Sequence, residues 1–361
     1  MSHSWKRWTP VVIVPAVVVA AAVALPLSAS AAGDLPEKSA ADLLSFVAES
    51  VPTAFSGEIQ QTSALGLPDL SALGGSTGAA SGDASGTDAL LELATGSHQA
   101  RVYVDPAQGA RLQILDRLAE RDVIASKADG VWIYDSSANA ATHVVPSEAG
   151  AEPDQPGDRV VTPTSAAEKL LAAVDPTTTV AVGSNVRVAG RDAYELVLTP
   201  RDSGTLVGSV TVSVDGQTGL PLGVAVTARG GTAPAFSVAY TSIDFSTPDS
   251  ALFSFTPPAG AEVSDEAASE HEPSGAPSAE ADDSQAPSAE DVSVTGTGWN
   301  TVVELPAGDM EAGGSLNAIT TPTDGGRVLS SALLTVLLTD DGRVLAGAVP
   351  VEALRAAADA R

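Results

Sequence analysis

Phe253-Ser254-Phe255-Thr256-Pro257-Pro258-Ala259-Gly260 closes a strand-rich run that lies behind a secretory leader. Immediately upstream is the clearest β-meander of the chain. Tyr194, Leu196 and Leu198 alternate, as do Val210, Val212 and Val214. A Gly-bearing turn at Asp215 to Gly219 leads to Leu222, Val224 and Val226, then to Phe236, Val238 and Tyr240. A period of two places each set on one side of its strand, as a sheet with one greasy and one wet face requires.

Further upstream the same signal recurs. Phe55, Gly57 and Ile59 alternate with Ser56, Glu58 and Gln60, which reads as a half-buried strand. Ala100 to Val104, Ala110 to Ile114, Val123 to Ala125, Val131 to Tyr134 and Thr142 to Val145 are five more expected strands. Two helices interrupt them. Ser39 to Val51 starts at a capping serine with Asp42 three residues on, and carries Leu43, Leu44 and Val47 on one face. Thr164 to Val174 carries Leu170, Leu171 and Val174 on one face and stops before Pro176. Gly74 to Gly86 and Ser147 to Asp158 read as loops.

Composition sets the outer limits. The 361 residues suggest about two domains plus accessory segments. Hydrophobic residues make up 44% but aromatics only 4%, so the interior is built mainly of Val, Leu and Ala. A formal charge of −27 without a basic stripe argues against nucleic acid as a partner. Cysteine is absent, which excludes disulfides, thiolate metal sites, a catalytic thiol and N-terminal acylation at cysteine.

Lys6 and Arg7 precede an apolar stretch from Pro10 to Leu27, and Ala29-Ser30-Ala31 fits a small-x-small cleavage site. Residues 1–31 are therefore expected to be a signal peptide; the rival is an uncleaved anchor, since about 20 apolar residues span a bilayer. Either route puts the rest of the chain outside the cytoplasm, secreted or at the cell envelope. Residues 32–263 form the expected main domain. Residues 264–291, acidic and bearing two copies of Ala-Pro-Ser-Ala-Glu, are the expected disordered linker. Residues 292–361 form a small α+β domain, with a strand at Trp299 to Leu305, a hairpin across Asp340-Asp341-Gly342 and a closing helix from Val351 to Ala360.

Catalytic constellations are weak. Gly74-Gly75-Ser76-Thr77-Gly78 matches the nucleophile elbow formally, but lies in a Gly/Ser tract without the strand and helix that would strain the serine. His3, His98, His143 and His271 have no ligand spacing. Asp154 with Asp158, and Asp282 with Asp283, read as solvated carboxylates in loose segments. No enzyme activity, cofactor or metal is expected. What remains is the apolar face. Alternating Val and Leu ordinarily make a filled core; a curved sheet under-filled by small side chains and covered by helices would instead leave a cavity for apolar ligands. The candidate lining is Phe55, Ile59, Leu112, Ile114, Trp132, Leu196, Leu198, Val212, Val224 and Phe236. Leu43, Leu44, Val47, Leu170, Leu171 and Val174 belong to the covering helices.

The order of several pieces carries a family resemblance. The first helix is followed by Phe55-Ser56-Gly57-Glu58-Ile59-Gln60, then by the strand pair Arg101 to Ile114. Next come Asp129-Gly130-Val131-Trp132-Ile133-Tyr134, Tyr194-Glu195-Leu196-Val197-Leu198-Thr199-Pro200 and the turn Asp215 to Leu222, before Phe253 to Gly260 as the closing strand. Residues 35 to 263 in this order resemble the lipoprotein-carrier superfamily of LolA and LolB, with its sigma-regulatory relatives RseB and MucB. The resemblance implies an α+β fold: a curved, antiparallel, half-open β-barrel covering helices. It also implies a non-catalytic, exported binder that carries or senses lipid or lipoprotein acyl chains, with a membrane transporter as partner. The alternative it implies is an extracytoplasmic regulator that binds an anti-sigma factor or sensor protein. Asp105-Pro106 stands where the carriers place a basic residue before proline, and the linker and C-terminal domain are foreign to simple carriers.

Overall fold

The computed structural model describes residues 35–50, 53–66, 97–115, 119–145, 177–267, 293–305 and 320–360. The expected leader, the Gly/Ser tract, the helix Thr164 to Val174 with Leu170, Leu171 and Val174, and both solvated aspartate pairs lie outside these residues.

Helix α1 spans Ala40–Ala48 and is shorter than the sequence reading of Ser39 to Val51. Its start is a capping box: the Asp42 backbone N–H donates to Ser39 Oγ at 3.1 Å, and the Ser39 backbone N–H reaches back to Asp42 Oδ2 at 3.3 Å. Two of the orphan N–H groups of the first turn are satisfied in this way. The helix buries Leu43 and Val47.

Thirteen strands make the first sheet: β1 Phe55–Ser63, β2 His98–Asp105, β3 Gly109–Leu115, β4 Glu120–Ser126, β5 Gly130–Asp135, β6 Ala140–Val145, β7 Thr178–Val182, β8 Val186–Val188, β9 Arg191–Pro200, β10 Val207–Asp215, β11 Pro221–Ala228, β12 Pro234–Asp244 and β13 Glu262–Ala267. Their order is β13-β6-β5-β4-β3-β2-β1-β12-β11-β10-β9-β7, with β8 also on β9. The sheet is large and open; it does not close into a barrel. Every pairing is antiparallel except that of β13 with β6. The two meanders, β2 to β6 and β9 to β12, are joined through β1, which pairs with both β2 and β12.

Residue parity then defines two faces. Val212 stands opposite Leu196 on β9 and Val224 on β11, and Val224 stands opposite Val238 on β12. These residues pack with α1 in one core. A register shift at Glu58/Ile59 pairs Ile59 with Tyr240 and Gly57 with Ile243, so an extra residue on β12 brings Ile243 to the same side. The face covered by α1 is the helix face, and the other is the outer face.

The stretch Phe253 to Gly260 departs from its expected role as a closing strand. Ser250–Phe253 is a single 3-10 turn, and Ser254 to Pro258 crosses the outer face without joining the sheet. Pro257 and Pro258 lack the N–H groups that a ladder needs. Gly260 turns the chain at φ +81, Asn139 Nδ2 donates to the Gly260 carbonyl at 2.9 Å, and β13 then starts alongside β6. Residues 264–267, expected in the linker, therefore belong to the end of this strand; residues 268–292 are outside the described set.

The second sheet contains β14 Ser293–Thr295, β15 Val302–Leu305, β16 Thr321–Thr323, β17 Gly326–Ser330, β18 Thr335–Thr339 and β19 Val344–Gly347, in the order β14-β15-β19-β18-β17-β16. Within the expected strand Trp299 to Leu305, Gly298–Asn300 is a 3-10 turn and only Val302 onward pairs. The expected hairpin is β18–β19, with Gly342 at φ +87 closing its turn. Helix α2, Val351–Asp359, follows Pro350, has no side-chain cap and buries Leu354. Val302, Leu337, Leu345, Val349 and Leu354 form a core between this sheet and α2.

The two sheets touch. The Trp299 indole N–H donates to Thr178 Oγ1 at 2.8 Å, and Asn300 Nδ2 donates to Asp202 Oδ2 at 2.6 Å. Leu333, in the β17–β18 turn, is fully buried and belongs to the core of the first sheet.

Candidate functional site: the helix face of the first sheet

The helix face has two unlike halves. In the half built from β9 to β12 and β1, Leu196, Leu198 and Val212 are wholly buried, and Val224, Phe236, Phe55 and Ile59 are nearly so. All seven belong to one core with Leu43 and Val47 of α1, and Leu44 packs against it. Phe55 also meets the Tyr240 ring edge-on at 6.0 Å. A Cβ at Gly57 would lie 2.8 Å from the Tyr240 ring, so glycine lets that ring settle across β1.

Moving outward from β2, burial falls. Leu112 still joins the core and Ile114 packs against it. Their neighbours continue the same face: Leu112 faces Val123, Val123 faces Ile133, and Ala125 faces Val131, which faces Val144. Val123, Ile133, Val131 and Val144 are only half-buried and, among the described residues, join no packed cluster. This is an aliphatic surface in continuous contact with the core on one side. Its upper rim is polar: Ile114 faces Arg121, whose guanidinium lies 3.3 Å from Asp135.

Trp132 belongs elsewhere. It pairs with Ile124 and His143, the alternate residues to Val123 and Ile133, and so points to the outer face. There Ile124, Trp132 and Ala141 form a small cluster with Tyr134 and Phe255. The ten candidate lining residues are thus divided: nine share the helix face and Trp132 does not. Within β5, parity alone sets Trp132 on the face opposite to Val131 and Ile133.

Several titratable groups of the first sheet are tied into its packing. Asp215, fully buried at the end of β10, is pushed up by burial, but the Arg191 guanidinium and the N–H groups of Thr218 and Gln217, with the Thr218 hydroxyl, outweigh this and hold the carboxyl below its ordinary value. Arg191 Nη2 donates to Asp215 Oδ1 at 3.0 Å, and its guanidinium lies over the Phe245 ring. Burial pushes the Glu195 carboxyl up. Tyr194 donates its hydroxyl to the Pro36 carbonyl at 2.8 Å, tying the approach to α1 onto β9. His98 faces Gln61 on the helix face, whereas His143 stacks on Trp132 on the outer face. The two imidazoles thus lie on opposite sides of the sheet. Among the described residues no three His, Asp or Glu side chains converge as a metal would require. No helix of the described residues is long and apolar enough to cross a membrane.

Two features escaped the sequence reading. The half-buried surface of Val123, Val131, Ile133 and Val144 was legible as strands, but its separation from the filled half depends on tertiary packing. The insertion of Leu333 has a faint signal, two leucines in a turn between strands, where polar residues are the rule.

No protein-family model and no curated protein matches this sequence. Among solved structures, the chain is similar to MucB in the MucA/MucB complex of Pseudomonas aeruginosa, at 17% identity over 88% of this chain and 96% of that chain, with a TM-score of 0.43. A crystal structure of MucB alone aligns with 17% identity over 88% of this chain and 94% of that chain, with a TM-score of 0.41. A LolA-superfamily protein from Nitrosomonas europaea aligns at 12% identity over 61% of this chain and 99% of that chain, with a TM-score of 0.23. The chain is thus similar to MucB and to a LolA-superfamily protein, the groups its motif order resembles.

Proposed function

We propose that this protein is a non-catalytic, exported binder of lipid-like or acylated ligands, acting at the cell envelope. The hydrocarbon of the ligand lies on the helix face along Leu112, Ile114, Val123, Val131 and Ile133. One observation carries this reading: the helix face is filled in the half built from β9 to β12 and β1, and half-buried, aliphatic and continuous beyond it. Residues such as Leu196 and Val212 then act as the floor that holds the sheet in shape. Each methylene taken from water contributes about 0.8 kcal/mol, so a long acyl chain gains on the order of 10 kcal/mol before its entropy losses. Such a ligand needs little polar anchoring. The leader supplies export, and a membrane transporter or a lipoprotein is the expected partner.

A second reading is an extracytoplasmic regulator that binds an anti-sigma factor or sensor protein. The observation in its favour is Leu333, through which the C-terminal sheet shares the core of the first.

Native mass spectrometry of residues 32–361, followed by titration with a fluorescent fatty acid, tests the first reading. Co-purified acyl species, or saturable binding lost in Ile133→Asp, support it. A protein that is empty and does not bind the probe rules it out.

A further inference from the structure

The half-buried part of the helix face changes character from strand to strand. One row of cross-strand neighbours starts at Leu112 and continues through Val123 and Ile133 to Thr142 on β6 and Ser264 on β13. Leu112 is buried in the core, so the row is closed at that end. Its other end is hydroxylic. Ser264 is exposed, and its Oγ donates to Thr142 Oγ1 at 3.2 Å. The adjacent row on the same face runs Ile114, Arg121, Asp135, Ala140 and Glu262. Arg121 is engaged by Asp135 at 3.3 Å. Glu262, at the outer end of this row, is exposed and makes no ion pair among the described residues.

We infer that the β6–β13 edge of the helix face is the head-group end of the ligand surface, and that it selects a single-chain lipid with a cationic amine head, with Glu262 as its counter-charge. The inference rests on the proposed binding of lipid-like ligands and adds their orientation and head-group class. From Leu112 to Thr142 is three strand spacings, about 14 Å, the length of an extended dodecyl chain. A polar head cannot lie at the Leu112 end, because an unpaired polar group in an apolar core is costly. It therefore lies over Thr142 and Ser264, where hydroxyls and water can solvate it. The cation of the adjacent row, Arg121, is already engaged, whereas the Glu262 carboxylate is not. An ammonium head is attracted there and a carboxylate or phosphate head is repelled. The overall charge of −27 acts in the same direction. Because Glu262 is exposed, its contribution is a selectivity of a few fold, while the hydrocarbon supplies most of the affinity.

Calorimetric titration of residues 32–361 with dodecylamine and with dodecanoate, each below its aggregation concentration, tests the inference. The amine is expected to bind about fivefold more tightly, and the preference to shrink as salt is added. Glu262→Lys is expected to abolish or reverse the preference. Asp265→Lys makes the same change of charge on the opposite face of β13, where Asp265 lies beside His143, and is expected to retain the preference. Equal affinity of the unaltered chain for the two compounds, or an equal loss of preference in the two variants, overturns the head-group assignment and leaves the proposed function standing. Binding of neither compound overturns both, whether or not a cationic amphipathic peptide binds.

Discussion

Trp132 and His143 stack with ring centroids 4.1 Å apart and planes 5° from parallel, on the face of the first sheet opposite to α1. The indole N–H donates to Asp129 Oδ2 at 2.9 Å, and His143 Nε2 lies 2.7 Å from the Asp129 carbonyl oxygen. One residue at the β4–β5 turn thus holds both rings. Phe255 covers the indole at 5.5 Å between centroids and Tyr134 at the same separation. The motif that closes the strand-rich run is therefore a strap over the sheet, and it aims β13 at the edge of β6.

Removing the strap ring should weaken the fold locally. Phe255→Ala is expected to cost about 2–3 kcal/mol, below the full Phe→Ala range because the ring is only half-buried. Urea unfolding checks the magnitude. Hydrogen exchange should show the loss of protection concentrated in β5, β6 and β13, and a uniform loss across the first sheet would contradict the assignment.

The two halves of the helix face should respond differently to charge. Val212→Asp places a carboxylate in a wholly buried row and is expected to abolish folding. Ile133→Asp, on the half-buried surface, is expected to leave the circular dichroism spectrum intact and to lower acyl-probe binding by about tenfold or more. If Ile133→Asp folds and binds normally, the ligand surface is elsewhere.

Acid stability should depend on Asp215. Its folded-state carboxyl titrates below the unfolded value, so its contribution is complete above about pH 4 and is lost as pH falls through the depressed folded value. Asp215→Asn leaves Arg191 partly buried without its partner, at a cost of about 3 kcal/mol near neutral pH. The measurement is Tm against pH from neutral to strongly acid. The variant should lose part of the acid-side slope, and curves that run parallel would remove Asp215 from the acid transition.

The Leu333 turn should matter to the whole molecule. Ser331→Ala deletes the acceptor of two backbone N–H groups and is expected to cost about 1 kcal/mol. Leu333→Ala is expected to cost about 3 kcal/mol by emptying a fully enclosed site. Because Leu333 belongs to the core of the first sheet, its loss should lower the main unfolding transition seen by calorimetry. A change confined to a separate minor transition would show that the contact does not couple the sheets.

Much of the first sheet was legible because its strands alternate. Leu196 with Leu198, Val210 with Val212, and Val224 with Val226 announce both strand and face, and the capping box at Ser39 and Asp42 announces the start of α1. The Phe253 to Gly260 motif matches the closing strand of the family the chain resembles, but its prolines and the surface of Ile124 and Trp132 make it a strap. The candidate surface was only half legible. Leu112 and Ile114 could be named from alternation, but nothing local distinguishes Val123 or Ile133 from Val212.

From the chain alone come the side of the strand on which each residue lies, the helix start and the absence of cysteine chemistry, because these follow from backbone period, neighbouring side chains and residue type. Tertiary structure decided that β1 joins the two meanders, that β13 runs parallel to β6, that Trp132 and Leu112 back onto opposite layers, and that Leu333 fills a core far from it in sequence. Those outcomes depend on contacts between segments as far apart as Leu65 and Ala332, and contact between distant segments leaves no periodic trace in either one.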